Sequence, residues 1–280
     1  MKTLIAIPAR HASTRYPGKP LVPLRGPDGS KTLIRRSWEA AMAVSGIDRV
    51  VVATDDGRIR DHAAGFGAEV VMTSSEARNG TERCAEVAAL LPGFDVIVNL
   101  QGDAPLTPPW FVEALVQGLA ADSEAEVATP VLACDGRAVA GFLADRQAGR
   151  VGGTTAVFGA GGRALYFSKE VIPYTGQTFA PDAPTPVFHH VGVYAYRPAA
   201  LAAYTGVYAY RPAALLGYSS WPTGPLETLE GLEQLRFLEQ GRPVLCVEVK
   251  AHGRSFWELN NPSDVEVIET MLQDMANVVQ

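Results

Sequence analysis

The chain has 280 residues, of which 47% are hydrophobic and 19% charged, with a formal charge of −6. Such a chain can bury a full core as one large domain or a closely joined pair, and its negative balance argues against nucleic acid as a partner. The longest apolar runs fall well short of a membrane span, so no membrane-spanning segment is expected.

Met1-Lys2 leads straight into an apolar run with no signal-peptide pattern. Cys84, Cys134 and Cys246 are odd in number and form no C-x-x-C pair. A disulfide framework or structural zinc is therefore not expected, and a cytoplasmic location is.

Leu4 to Ile7 reads as a short buried strand stopped by Pro8. Behind it Arg10, Arg15 and Lys19 are interleaved with Ser13, Thr14, Pro17 and Gly18. A loop leaving the carboxyl end of a central strand faces the ligand crevice of an α/β sheet. Cations, hydroxyls and backbone N–H groups in that place suit a polyphosphate. Thr32 to Ala43 has helical spacing, and Arg49 to Ala53 is the next buried strand. This strand–helix–strand rhythm predicts a twisted, mostly parallel sheet flanked by helices. Asp56 is expected to cap a helix over 58–64. Glu69–Met72 and Thr81–Leu90 continue the rhythm as strand and helix, the helix capped by Asn79 or Thr81.

Val96 to Leu100 is another buried strand, and Gln101-Gly102-Asp103 leaves its carboxyl end. A carboxylate beside a triphosphate would be repelled without a divalent cation between them, so Asp103 is read as a Mg²⁺ ligand; the plain alternative is a helix cap before Pro108–Leu119. Glu126–Leu132 reads as a strand, and from Asp135 the rhythm breaks in a glycine-punctuated stretch. Ala164–Phe167 and Val187–Tyr196 read as strands around a Pro-rich loop, and Pro225–Glu239 as one helix with leucines spaced by three. On that helix Glu227, Glu230 and Gln234 are expected to share a face. Pro243–Val249 is a late strand and Asp264–Val278 a closing amphipathic helix. The expected division is a nucleotide region over 1–134 and a second region over 135–280, made of a smaller α+β part and the C-terminal segment, joined without a flexible linker.

Gly192–Thr205 and Gly206–Ser219 match at 11 of 14 positions. Two copies of so short a unit do not make a solenoid, and the pattern reads as a local tandem duplication.

IPARHASTRYPGKPL resembles the signature loop of the sugar-acid cytidylyltransferases, most closely those acting on 3-deoxy-manno-octulosonate (Kdo). The likeness continues through VVATDD, NGTERCAEV, VNLQGDAPL, ALYFSKEVIPY, HHVGVYAYR and PLETLEGLEQLRFL, in order and over most of the chain. It implies a nucleotide-diphospho-sugar transferase-like fold and the reaction CTP + Kdo to CMP-Kdo + pyrophosphate, for lipopolysaccharide or surface polysaccharide synthesis. Its nucleotide site would comprise Pro8, Ala9, Arg10, Ser13, Arg15, Lys19, Thr81, Gln101 and Gly102, with Arg10, Arg15, Lys19 and Asp103 catalytic. Lys169, His190 and Gln234 would lie at the sugar; His190, read on its own, is a core or rim histidine. The second half would form a homodimer contact.

The chain departs from the family at two places. Asn260 stands where the resemblance expects a second metal-binding Asp, which leaves Asn260 as a weak Mg²⁺ ligand and Glu258 as a substitute. Thr155 stands where it expects a Lys in the sugar half. Alternative readings are a related acceptor, such as an amino-Kdo or a sialic-type acid, and a non-catalytic nucleotide-binding module. A dinucleotide oxidoreductase is discounted, since no G-x-G-x-x-G follows the first strand. No Ser/His/Asp set or reactive Cys is evident, so direct in-line displacement is expected.

Overall fold

The computed structural model describes residues 1–13, 16–151, 153–198, 221–254 and 256–277. Two compact units are found. The first is Met1–Glu113 with the described residues of Tyr196–Ser220 and Ala251–Gln280; the second is Ala114–Ala195 with Trp221–Lys250. The division is therefore not a single cut after residue 134. The C-terminal segment returns to the first unit because its apolar side chains are buried there: Leu259 and Ile268 cluster with Leu24, Leu33 and Leu106.

In the first unit, β1 (Thr3–Ala9) lies between β4 (Arg49–Thr54) and β6 (Val96–Leu100), and β5 (Glu69–Met72) extends the row beyond β4. All these pairings are parallel. Leu4–Ile7 and Val96–Leu100 are buried throughout, as continuous apolar strands of a parallel sheet require. Helices α1 (Leu33–Met42), α2 (Gly57–Gly65) and α3 (Gly80–Leu90) follow, and α4 (Pro109–Ala121) begins in this unit. Asp56 caps α2, accepting from Arg58 N and Ile59 N. Asn79, not Thr81, caps α3 by accepting from Glu82 N at 2.8 Å.

A hairpin of β2 (Pro23–Gly26) and β3 (Gly29–Thr32) was not expected. It is held by the buried Arg36, whose Nη2 donates to Leu24 O at 3.1 Å and Gly29 O at 2.8 Å.

In the second unit the strand order is β11 (Val193–Tyr196), β7 (Val127–Asp135), β10 (Pro184–His190), β8 (Thr154–Phe158), β9 (Ala164–Ser168). The β7–β10, β10–β8 and β8–β9 pairings are antiparallel, and β12 (Val244–Glu248) runs parallel to β7. Two elements here also went unread: α5 (Gly136–Gln147), capped by Asp135, and β8. The expected strand over 187–196 is two strands, separated at residues 191–192.

The expected helix over 225–239 is likewise two, α6 (Pro225–Glu230) and α7 (Gln234–Glu239). The break is at Gly231, whose φ of 61° is the left-handed conformation that glycine adopts without a Cβ penalty. Glu227, Glu230 and Gln234 therefore do not share one helical face. Helix α8 (Asp264–Asn277) closes the described chain.

Candidate active site

In the first unit, β1 and β6 run parallel, so the loops after Ala9 and Leu100 leave the same rim. Gly102 is buried, and a Cβ there would stand 2.5 Å from Pro8 O. Only glycine lets the two loops approach so closely. Gly102 O in turn accepts from Ser37 Oγ at 3.0 Å. Asp103 then meets the cationic loop: Lys19 Nζ lies 2.6 Å from Asp103 Oδ2. Both side chains are largely shielded, 13% and 23% exposed, so water screens this pair less than a surface pair.

The loop around Lys19 is folded by its own backbone. Ser13 N and Gly18 N both donate to His11 O at 2.9 Å, and Tyr16 N reaches Ser13 Oγ at 3.4 Å. Gly18 makes the turn at φ 71°. Some N–H groups expected to face a phosphate are thus spent inside the loop. Arg10 is exposed and donates through Nη1 to Arg78 O at 3.2 Å. Arg15, the third cation of the loop, lies outside the described residues.

Pro8, Gly80 and Gln101 converge: a Cβ on Gly80 would meet Pro8 Cγ at 3.1 Å and Gln101 Oε1 at 3.3 Å. Ala9 is buried beside them in sequence, and Thr81, also buried, shares a 3.2 Å hydrogen bond with the Tyr196 hydroxyl. Asn99 was not singled out from the sequence; it is fully buried, and its carboxamide has no hydrogen-bond partner among the described residues. Its signal was a polar residue in the all-buried run VIVNL. Arg83 of NGTERCAEV and Asp55 of VVATDD, to which the sequence reading gives no role, also meet here. The buried Arg83 guanidinium lies 3.2 Å from Asp55 Oδ1 and bonds Thr73 Oγ1, tying α3 to the loops after β4 and β5.

The segment carrying Glu258 and Asn260 comes to the same place. Leu259 N donates to Asp103 O at 2.9 Å, while its side chain is fully buried in the Leu24–Leu33 cluster. Glu258 and Asn260, on either side of it, are both partly exposed. Asp103 therefore sits between a lysine and the very segment where the expected second carboxylate is replaced by an amide.

In the second unit, Gln234 is 3% exposed and its Oε1 accepts from the Tyr194 hydroxyl at 3.2 Å. The Tyr194 ring lies 5.6 Å from that of His190. Tyr194 thus joins two of the three sugar-site candidates. His190 is buried, with Nε2 2.9 Å from Thr129 Oγ1 and Nδ1 3.0 Å from Thr154 Oγ1. Burial, reinforced by the neighbouring His189, pushes its pKa down to about 3, so the ring is neutral and both nitrogens are occupied.

Lys169 is held at its backbone, Lys169 N donating to Glu230 Oε2 at 2.9 Å, and Glu230 Oε1 also accepts from Ser168 Oγ at 2.6 Å. A Cβ on Gly231 would lie 3.1 Å from Lys169 Nζ. Glu227 forms a buried two-pronged pair with Arg236. Thr155 is the register partner of His189, and Thr154 that of His190. Alternate strand residues face opposite ways, so Thr155 lies on the sheet face away from His190. Its hydroxyl donates to Glu170 O at 2.6 Å and accepts from Ile172 N at 3.2 Å.

Burial pushes the Cys134 thiol up to about 11 and that of Cys246 up to about 12, so neither is a ready thiolate nucleophile.

Residues 4–248 match the family model described as cytidylyltransferase. Over its whole length the chain is 42% identical to the 3-deoxy-manno-octulosonate cytidylyltransferase of Maricaulis maris, covering 100% of both chains. The chain belongs to this cytidylyltransferase family. It is also 40% identical to the relative of that name from Chlamydia pneumoniae, over 97% of this chain and 94% of that one. A solved structure of CMP:2-keto-3-deoxy-manno-octonic acid synthetase complexed with CTP matches with a TM-score of 0.77 at 33% identity, covering 99% of each chain. A cytidylyltransferase from Leptospira borgpetersenii, 18% identical with a TM-score of 0.55, shares the fold. Among the described residues no helix is long and apolar enough to cross a membrane.

Proposed function

We propose that this chain transfers CMP from CTP to the anomeric hydroxyl of 3-deoxy-manno-octulosonate and releases pyrophosphate. The observation that carries the reading is the meeting of Lys19 and Asp103 at the rim shared by β1 and β6. A lysine suited to phosphate beside a carboxylate suited to a metal ion supports this reading in a chain whose relatives carry this activity in their names.

In the reaction a bond forms between the sugar oxygen and the α-phosphorus. The bond from that phosphorus to the bridging oxygen breaks, its electron pair leaves with pyrophosphate, and the hydroxyl proton passes to solvent. Lys19, Arg10 and Arg15 hold the triphosphate and offset charge growing on the departing group. Pro8, Ala9, Ser13, Thr81, Gln101 and Gly102 shape the nucleotide side. Lys169, His190 and Gln234 belong to the sugar side, His190 by orienting Tyr194 and the strands it bridges, since its own nitrogens are taken.

A magnesium ion brought with the nucleotide fits the donor set. Mg²⁺ commonly takes one or two carboxylates and completes its shell with phosphate oxygens and water. Among the described residues no cluster of three His, Cys, Asp or Glu forms an all-protein cage, and Asp103 already attracts a cation. Asp103 would hold the ion, with Glu258 or Asn260 giving a second oxygen. Bound there, Mg²⁺ supplies Lewis-acid charge to the phosphate oxygens.

The same reading makes the protein a cytoplasmic homodimer serving lipopolysaccharide or surface polysaccharide synthesis. Thr155 gives no ground for a different acceptor, because it faces away from His190 and its hydroxyl is spent on backbone.

Pyrophosphate release from CTP with a panel of acceptor acids tests the proposal. Turnover with 3-deoxy-manno-octulosonate above all others is expected. Tight CTP binding without turnover on any acceptor would instead mark a non-catalytic binding module.

A further inference from the structure

Asp264 opens α8, yet its carboxylate does not serve that helix in the usual way. Asp56 and Asp135 turn theirs onto N–H groups of the helices they cap. Asp264 reaches backwards. Its Oδ2 accepts from Asn260 N at 2.8 Å and Asn261 N at 2.6 Å, and its Oδ1 from the Trp257 indole N–H at 3.3 Å. The chain closes on itself there, since Asp264 N donates to Asn261 O at 3.0 Å.

One carboxylate thus gathers both ends of the stretch from Trp257 to Asn261. The middle is pinned separately, by the buried Leu259 side chain and by Leu259 N on Asp103 O at 2.9 Å. Three donors to one carboxylate are charge-assisted bonds, stronger than neutral ones. With Leu259 fixed at Asp103 and both flanks tied to Asp264, the backbone that carries Glu258 and Asn260 has little freedom to move away from Asp103.

We propose that Asp264 is a positioning residue for the metal–nucleotide site: it holds the 257–261 segment so that Glu258 and Asn260 stand at Asp103. This rests on the reading of Asp103 as the residue that meets the cation. A carboxylate acting only as a helix cap would set the stability of α8 and nothing else.

The test is calorimetric titration of the full-length protein with CTP, once in EDTA and once with saturating Mg²⁺. The gain in affinity on adding Mg²⁺ measures how well the site completes the ion's shell. In Asp264→Asn the amide can keep one acceptor oxygen but meets the indole N–H or the two backbone N–H groups with a donor of its own. The expected result is a loss of at least tenfold in that gain, with metal-free CTP affinity within twofold of wild type. Asp264→Glu, with the carboxylate kept, should recover most of the gain. An unchanged Mg²⁺ gain in folded Asp264→Asn overturns the proposal. So does an equal fall in metal-free and metal-bound affinity, which would mean a general loosening of the fold. Should Asp264→Asn not fold, Trp257→Phe, which removes the indole bond alone, is read in its place, with a loss of at least threefold expected and no loss overturning the proposal. A wild-type protein whose CTP affinity does not respond to Mg²⁺ overturns the reading of Asp103 itself, and this proposal with it.

Discussion

Lys19 Nζ and Asp103 Oδ2 stand 2.6 Å apart, and each neutralises the other at a rim where a phosphate would claim the first and a metal ion the second. The pair is therefore a junction that binding must rearrange. Lys19→Met should lower kcat/KM for CTP by at least tenfold, about 1.4 kcal/mol of transition-state stabilisation. Asp103→Asn should cost more, because in the proposed reaction it removes the carboxylate that would meet the metal. Side chains in direct contact do not behave independently, so the double variant should fall short of the sum of the two losses. Steady-state kinetics of the four proteins close the cycle; strict additivity would mean the contact has no part in turnover.

Gly102 carries the second expectation. A methyl group there would sit 2.5 Å from the Pro8 carbonyl oxygen, which is backbone and cannot rotate away. Gly102→Ala must therefore part the loops after β1 and β6. Overpacking of this kind costs about 1–3 kcal/mol of stability. The melting temperature and CTP affinity should fall together. A variant with wild-type affinity would show that the approach of the two loops is not what builds the site.

Much of the first unit was legible because its signals are local. Leu4–Ile7, Arg49–Ala53 and Val96–Leu100 are short, largely apolar runs ended by Pro8, Thr54-Asp55 and Gln101-Gly102, and each lies in a strand. Asp56 stood one residue before its helix and caps it. The hairpin over 23–32 was missed because PLRGPDGSKT has no apolar alternation; what holds it is Arg36, from the next helix. Helix α5 was missed because its alanines, glycines and charges form no clear stripe. The leucines of 226–238 misled in the opposite sense. A spacing of three advances about 300° per step around a helix, so the row drifts instead of staying on one face. The outcome is visible at Leu229, 81% exposed, and at the break on Gly231.

The candidate site divides in the same way. Lys19 and Asp103 could be assigned to one rim in advance because each follows a strand of one parallel sheet, while their direct ion pair is seen only in the structure. The contact of Tyr194 with Gln234, and the reach of Asp264 back to Asn260, depend on how distant segments pack. No spacing in the sequence encodes either.

His190 sets a pH dependence. Its folded pKa, about 3, lies below the ordinary histidine value of 6.5. Between those values the unfolded chain binds a proton that the folded chain does not. Stability from this group is therefore complete above pH 6.5 and is lost as pH falls towards 3. His189, pushed down to about 4 by burial and then by Arg146, acts in the same direction. His190→Gln should flatten the fall in stability across this window, as read from denaturant unfolding at stepped pH. An equally steep curve in the variant would place the acid sensitivity elsewhere.

The duplicated unit allows a prediction from sequence, since residues 199–220 lie outside the described structure. Deleting Gly206–Ser219 rejoins Thr205 to Ser220 and leaves a single copy of the repeat. The shortened protein should be soluble and unfold cooperatively, because a longer connection alters loop entropy only slowly. Aggregation or a non-cooperative transition would mean that both copies contribute to the fold.

Asn260 stands where the resemblance to the family expects a carboxylate. Asn260 can offer Mg²⁺ an oxygen but no negative charge, and a site with fewer charged ligands binds the ion more weakly. Leu259 turns inward and donates its N–H to Asp103 O, so the backbone that carries its neighbours Glu258 and Asn260 passes beside that aspartate. Glu258 can then restore the missing charge, directly or through a metal-bound water. Glu258→Gln should raise the Mg²⁺ concentration for half-maximal turnover at least fivefold. Asn260→Asp should lower it, and should rescue Glu258→Gln when the two are combined, because either carboxylate then suffices. Magnesium titration of turnover in the three variants decides the matter. If Glu258→Gln leaves the Mg²⁺ requirement where it was, Glu258 does not compensate, whatever Asn260→Asp does, and Asp103 with the nucleotide's own phosphates must hold the ion unaided.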